Sequence, residues 1–589
     1  MAEYQNPQHE PGSEKRLLVI FLISFVFMLL AQPLLKRYFP TPPPPQKVAQ
    51  TEQTAPAQPT QSTLPTQATT SPAKPAAPAA TKLASSESET VIESDLYRVT
   101  FTNRGGQAKS WILKKFDNDA ENGRLDLVNS TASAQYGYPL SLWTYDEQLR
   151  GRLNSVLYVA TRDGNKITFE YSDADLTVRK VFTFDSTYVV SIEASVTYKD
   201  APKEAFVAWP AGFGDQISPT FYATALLAYQ YNKNIERLPT RCGFSLFSKC
   251  SQVIGGATLP GPFHWAGPED QYFAAVFIPD DPASASMVTL NHSMPVPKDS
   301  SKPQDTINVD VIGVAVGNLH GAVSERLFAG PKELQVLEKV PVPGVSGADN
   351  DLNGLVDFGW WGLISKPLFL WLKWTYSHVV SNWGWAIIIQ TIILSLALLP
   401  LRITQMKSML KMQRVAPQIK SIQEKYKKYS LRDPRKAAMN EEIAALYKKE
   451  GVNPAGGCLP MLIQFPFLIA YYRMLGTALD LRHAHFLWIR DLSAAEPLPY
   501  ILPILMVVSS LINQRMTPQA GMDPAQQRMM NVMMPLMMGF IFFRLQAGLN
   551  LYYAVSNLIM IAQQMVMNRT HLGKEMREMM AKRARKKDK

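Results

Sequence analysis

The spacing of apolar positions changes several times along the chain, and each change predicts an element. Residues 17–31, LLVIFLISFVFMLLA, are an unbroken apolar run behind Lys15-Arg16. The run predicts an N-terminal membrane anchor that starts in the cytoplasm, because flanking Lys and Arg stay inside. A cleaved signal peptide is the alternative, but no small-x-small site follows at Gln32-Pro33-Leu34. Residues 37–90 show no apolar period, and eleven of the 43 prolines lie between Pro40 and Pro78. They predict a semi-extended tether.

From 91 to 345 the period becomes two. Lys166-Ile-Thr-Phe-Glu-Tyr and Val181-Phe-Thr-Phe-Asp alternate, and Tyr188 to Tyr198 is a long strand candidate. Leu96 to Thr102 is another, ending before Gly105-Gly106, and Asp163-Gly-Asn and Asp280-Asp-Pro supply turns. This predicts an antiparallel β-sandwich.

Residues 357–380 then combine four Trp with Lys366 and Lys373, which predicts an amphipathic helix in the membrane interface. An extension of the next span is the alternative. Five apolar stretches follow, at 383–401, 458–476, 498–512, 529–543 and 549–562. With the anchor they make six transmembrane helices. Residues 404–456 are polar and helical. Asp433-Pro434 offers a cap and a first-turn proline for a second helix, so the segment predicts a helical hairpin.

Charge tests this topology. Residues 402–451 carry 13 basic and 5 acidic side chains, a net of +8, and the tail 569–589 carries 9 and 3, a net of +6. The whole chain nets +11, so everything else nets −3. The connection 477–497 has only Arg482 and Arg490 as basic residues. Both termini and the hairpin are therefore predicted inside, and residues 37–380 outside. The basic tail fits anionic lipid or ribosomal RNA equally, and topology alone would also explain it. Of 25 Met, 21 lie between Met406 and Met580, so the two halves differ in material as well as charge.

The β region shows no chemistry. His264, His292 and His320 lack metal-ligand spacing, and Asp173 and Asp175 read as solvated turn carboxylates. Cys242 and Cys250 fit a short disulfide loop or two free thiols equally well. No cofactor, metal or catalytic group is expected, and the chain is not read as an enzyme. The span candidates from 383 onward hold no Asp or Glu, which argues against a proton-coupled pump. They hold neutral polar groups instead: Gln390, Thr391, Ser395, Gln464, Asn531, Tyr552, Tyr553, Ser556 and Asn557, with Gln563 and Gln564 at the end of the last. Helix–helix hydrogen bonding is one reading of these, and a shared wet cavity is the other. Several apolar runs are near 15 residues, where a bilayer asks for roughly 20. Short spans thin the bilayer, and Met-rich surfaces accept varied apolar partners. A wet cavity beside thinned lipid suits passage of hydrophobic peptides. A polytopic transporter or lipid flippase is the rival, although no carboxylate relay or repeated half is visible.

Asn453-Pro-Ala-Gly-Gly-Cys-Leu-Pro-Met-Leu-Ile-Gln-Phe-Pro resembles the NPxGGCxPxxIQxP signature of the YidC membrane protein insertases, within the YidC/Oxa/Alb family. The similarity continues through Leu487-Trp-Ile-Arg-Asp-Leu-Ser, Asp523-Pro-Ala-Gln-Gln and Gly548-Leu-Asn-Leu-Tyr-Tyr-Ala-Val-Ser-Asn-Leu. The anchor, tether and exported β domain match the Gram-negative type. The resemblance implies a five-helix core with a hydrophilic groove open to cytoplasm and lipid, and a β-supersandwich outside. It implies nascent membrane proteins as substrates, inserted alone or with the Sec translocon into the inner membrane. The hairpin 404–456 and the tail 569–589 would receive ribosomes or targeting factors. The family's groove arginine, four residues after a threonine, falls at Ser395 when the threonine is placed at Thr391. Arg402 lies seven residues beyond, roughly 10 Å along a helix, and Gln390 is a neutral alternative. The groove tyrosine carries over to Tyr553, beside Tyr552. The expected groove is therefore Gln390, Thr391, Ser395, Arg402, Gln464, Tyr552, Tyr553 and Asn557. The expected plan is 1–36 anchor, 37–90 linker, 91–345 β domain, 357–380 interfacial helix, 381–568 insertase core and 569–589 basic tail.

Overall fold

The computed structural model describes residues 81–570 apart from 215–224, 233, 241–250, 298–303, 320, 346–349, 360, 427–428, 430–434, 453–458, 498, 517–531 and 533, and adds Lys574 and Glu578. The anchor, most of the tether, nearly all of the tail, the three cysteines, His320, the Asp433-Pro434 pair, the start of the Asn453 motif and Asn531 lie outside the described residues.

The first half is all antiparallel, in three sheets. Strands β1 (Glu89–Glu93), β2 (Tyr97–Thr102), β3 (Gln107–Asp117) and β4 (Arg124–Asp126) form one sheet in that order. A second runs β13 (Asn234–Pro239), β12 (Leu226–Tyr231), β15 (Phe263–Glu269), β16 (Phe273–Pro279), β19 (Val323–Pro331), β9 (Val189–Tyr198), β8 (Leu176–Phe184), β7 (Lys166–Ser172) and β6 (Val159–Asp163), with β10 (Ala201–Lys203) on β9. The third runs β14 (Thr258–Pro260), β17 (Ala285–Pro297), β18 (Thr306–Asn318), β11 (Ala205–Trp209) and β5 (Ser141–Trp143). Alternation explains these strands. In β9, Val190, Ile192, Ala194 and Val196 are buried while Ser191, Glu193 and Ser195 are exposed. β16 is buried at every position, as a strand covered on both faces should be. Aromatic side chains join the sheets: Phe101 stacks on Phe182 at 5.3 Å, and Trp111 meets Trp209 at 6.3 Å.

Among the polar side chains buried in the β domain, Lys180 and Glu325 are charged types set inside sheet positions. Lys180 is fully buried, and its Nζ donates to the carbonyls of Gly105 at 3.0 Å, Gly106 at 2.6 Å and Leu140. Gly105 and Gly106 turn the chain at φ +68° and +55°, a region that only glycine enters freely. Lys180 thus ties that turn to the core. Glu325 is 2% exposed and neither carboxylate oxygen has a hydrogen-bond partner among the described residues. Asp173, expected as a solvated turn residue, is instead a hub. It accepts from Tyr171 and Arg152, both at 2.5 Å, and from the backbone N–H groups of Asp175 and Leu176. Desolvation opposes its charge, but these donors outweigh it and hold the carboxyl near 2.

The second half is helical. Helix α4 (Gly362–His378), preceded in the chain by three short helices α1 (Ser130–Tyr136), α2 (Glu147–Ser155) and α3 (Leu334–Leu337), lies within 357–380. Its Leu368, Phe369 and Leu372 are buried, while Leu363, Leu370 and Trp374 face outward. Then come α5 (Trp383–Ala397), α6 (Leu399–Lys425), α7 (Arg435–Lys449), α8 (Leu459–Thr477), α9 (Ile501–Met516), α10 (Met534–Phe542) and α11 (Ala547–Arg569). Asn382 caps α5 by accepting from the Trp385 N–H at 3.2 Å. Pro400 stands in the first turn of α6, where its missing N–H costs nothing. α6 and α7 pack through Val415, Ile419, Ile443, Leu446 and Tyr447, and Lys425 pairs with Glu442 at 3.3 Å.

Helix length does not establish the expected six spans, of which the anchor lies outside the described residues. Among the described residues, no helix is long and apolar enough to cross a membrane. The physical reason lies in the apolar runs: α5 and α9 stop at 15 and 16 residues, and the longer α11 is interrupted by Asn, Tyr, Ser and Gln.

The β domain seats on the connection after α8. Arg482, 6% exposed, donates to the Asp117 carbonyl and to Asp119 Oδ1, both at 2.7 Å. Gln271 Nε2 donates to the Gly476 carbonyl at 2.7 Å, and Lys373 of α4 lies 3.4 Å from Asp480.

Candidate functional site

α11 is the hub of the helical part, packed against α5, α8 and α9. It starts from a tight return. Asn550 Nδ2 donates to the carbonyls of Phe542 at 3.1 Å and Leu545 at 3.4 Å, which closes the turn after α10. Three polar groups of α11 then each take a different neighbour.

Tyr552, 6% exposed, stacks on Tyr471 of α8 with ring centroids 4.0 Å apart. Tyr553, half-buried, sets its ring against Phe542 at 4.9 Å. Asn557, 2% exposed, donates to the hydroxyls of Ser509 at 3.1 Å and Ser510 at 2.8 Å on α9. Near its end, Gln563 accepts from Arg402 Nη1 at 3.2 Å and donates from Nε2 to the Ser395 carbonyl at 3.3 Å. A single amide therefore bridges α5, α6 and α11.

Gln390 and Thr391 are fully buried but face other partners. Gln390 Nε2 donates to the Leu368 carbonyl of α4 at 2.9 Å, and Thr391 Oγ1 donates to Ile387 one turn back at 2.6 Å. Ser395 and Arg402 are joined through Gln563. Tyr552 and Tyr553 meet at 6.4 Å. The side chain of Gln464 lies outside the described residues. The seven expected groove residues whose side chains are described thus do not make one patch but sit in separate contacts along α5, α6 and α11. Tyr471, Ser509, Ser510 and Gln563 belong with them. An amphipathic polar stripe on α8 or α9 would have pointed to the first three, but isolated Tyr and paired Ser give little periodic signal.

Five buried polar atoms here have no hydrogen-bond partner among the described residues: Gln390 Oε1, Tyr471 Oη, Ser365 Oγ, Gln546 Oε1 and Asn550 Oδ1. Buried polar groups are nearly always satisfied, by protein or by water. The far side of α5 is different in kind, with Ile392, Ile393 and Leu396 between 40% and 56% exposed. Among the described residues, no group of three or more His, Cys, Asp or Glu is placed to hold a metal ion.

Two family models match the chain: 60Kd inner membrane protein over residues 374–575 and YidC periplasmic domain over residues 89–371. A protein of Geobacter sp. (strain M21) named "Membrane protein insertase YidC" is 32% identical over 513 residues, covering 82% of this chain and 86% of its own. One of the same name from Citrifermentans bemidjiense is 33% identical over 495 residues, covering 82% and 85%. A crystal structure described as "Active YidC insertase crystal structure with the first transmembrane domain resolved" is 20% identical, covering 84% of this chain and 96% of its own at a TM-score of 0.35. The boundary between the matched regions falls within α4, where the strands end and the apolar helices begin. By sequence identity along most of its length, the chain belongs to the YidC membrane protein insertase family.

Proposed function

We propose that this chain is an inner-membrane insertase and chaperone. It takes nascent hydrophobic segments from the cytoplasm into a polar groove among α5, α8, α9 and α11 and releases them sideways into lipid. The observation that carries the reading is the series of buried amides and hydroxyls spread along α4, α5, α8, α9 and α11, several of them incompletely partnered, beside an exposed apolar face on α5. Such groups can exchange hydrogen bonds with the polar flank of an incoming segment, at little cost to either side. No covalent step is required of any residue.

The helices are read as a five-span core joined to the anchor at 17–31. Residues 37–380 lie in the periplasm, and both termini and the α6–α7 hairpin lie in the cytoplasm. Their shortness fits a locally thinned bilayer, which shortens the path of a translocated flank. The excess of +8 on 402–451 and +6 on 569–589 supports this orientation. Ribosomes or targeting factors are read as docking on those two basic pieces, with the Sec translocon as a lateral partner. Gln390, Thr391, Ser395, Arg402, Gln464, Tyr552, Tyr553 and Asn557 are read as the groove, with Arg402 supplying its cation through Gln563.

Photo-crosslinking amino acids at Thr391 and Tyr553 test the groove. Both should capture a stalled single-span nascent chain. Capture confined to Ile393 and Leu396 on the outer face of α5 would contradict it.

A further inference from the structure

The connection between α8 and α9 reverses over four residues. Phe486 and Ile489 exchange both backbone bonds, at 2.9 Å and 2.8 Å. Between them stand Leu487 and Trp488, 70% and 47% exposed. Leu487 adopts φ +52°. In a turn facing water that position favours Gly, Asn or Asp, and a leucine there is strained. The tip is nonetheless held firmly. Trp488 Nε1 donates to Glu496 Oε1 at 2.7 Å. Glu496 is 3% exposed and also accepts the N–H groups of Ile501 and Leu502, at 3.1 Å and 2.8 Å, where α9 begins. On the other side Phe486 is buried against Gly384, where an added Cβ would come within 2.1 Å of its ring.

The tip is therefore fixed to the start of α5, and its apolar surface continues that helix's outer face. Trp385, 50% exposed, meets Phe486 edge-on at 5.6 Å and leads to Ile393 and Leu396. Exposed Arg490 follows directly. An amphipathic indole, an apolar apex and a flanking cation match the chemistry of a phospholipid surface.

We propose that Leu487 and Trp488 form a rigid wedge seated in the outer leaflet at headgroup depth, with Arg490 against lipid phosphate. This rests on the membrane seating given under Proposed function. The wedge would hold the outer ends of α5 and α9 at a set depth while segments move past them.

A fluorescent amino acid of the dialkylaminonaphthyl-ketone type is placed at position 487 of the full chain. The purified protein is reconstituted alone in phosphatidylethanolamine and phosphatidylglycerol vesicles. Its emission should shift to the blue, and lipids with a nitroxide near the headgroup should quench it more than lipids with a nitroxide near the chain end. Arg490→Glu should move the emission back toward that in water. The same probe at Ile393 reports on the span itself. Water-like emission at 487 with quenching at 393 would overturn the wedge and leave the insertase reading standing. Water-like emission at both positions would overturn the seating on which the wedge rests.

Discussion

Arg402 and Gln563, 161 residues apart, share a hydrogen bond of 3.2 Å, and the same glutamine reaches the Ser395 carbonyl at 3.3 Å. Ser395 of α5 is thereby tied to Arg402 of α6. A bond to a charged group is worth about 1.5–3 kcal/mol. Arg402→Ala should lower insertion of a substrate with an acidic translocated flank by about tenfold, and Gln563→Leu should act in the same direction. Ser395→Arg should be tolerated. An in vivo insertion assay checks all three, and no change on Arg402→Ala would remove that residue from the groove.

The β domain touches the core through polar contacts of Arg482 and Gln271 and through Leu479, which packs into the β domain's apolar core, and none of these is a groove residue. Deleting about 91–340 should therefore leave most insertion activity intact. Arg482→Ala should raise hydrogen exchange at 117–124 and 478–484 without slowing insertion. A β domain that works as a periplasmic enzyme on an anchor would show the opposite, with deletion abolishing function.

Glu325 is buried between Ile192 and Pro279 in the sheet register, with both oxygens unpartnered. Burial, aided by the nearby Asp280, pushes its carboxyl well above the usual range. Glu325→Met removes that unsatisfied group and should stabilise the β domain by about 1–3 kcal/mol. Denaturant unfolding of the full chain, followed by β-domain exchange protection, measures it. A loss of stability would mean that the carboxyl has a partner worth more than its desolvation.

Asp270 gives a pH dependence with a definite sign. Its Oδ1 accepts from the N–H groups of Tyr272 and Phe273, both at 2.7 Å. Burial nonetheless raises it to about 6; Lys332 opposes the rise and Asp119 adds to it. The folded state holds this proton more tightly than the unfolded state does. Its contribution is therefore most favourable below the ordinary carboxylate range and declines as pH rises through about 6, by up to about 3 kcal/mol. Asp270→Asn should flatten the stability profile between pH 4 and 6. An unchanged slope would assign the titration elsewhere.

Much of this was legible in the residues. Alternation placed Val189–Tyr198 and Lys166–Ser172, and apolar runs at 383–401, 458–476 and 549–562 preceded α5, α8 and α11. Glu325 was readable in principle, since it shares the inward register of Val323 and Leu327. Lys180 was not, because an inward lysine depends on three carbonyls from turns 40 to 75 residues away. The partners of α11 were also hidden. Periodicity identifies a helix face but not which helix meets it, so Tyr471, Ser509 and Ser510 emerged only from the packing. Helix ends were hidden for a related reason: the apolar run 383–401 continues past the end of α5 at Ala397.

The central claim is tested most directly by reconstitution. Vesicles holding this protein alone are given a small single-span membrane protein as it is synthesised, and its protease-protected fragment is measured. The account predicts protected, membrane-integrated substrate that falls when Gln563 and Arg402 are substituted together, with no saturable solute uptake by the same vesicles. Absence of protection combined with saturable uptake would contradict it.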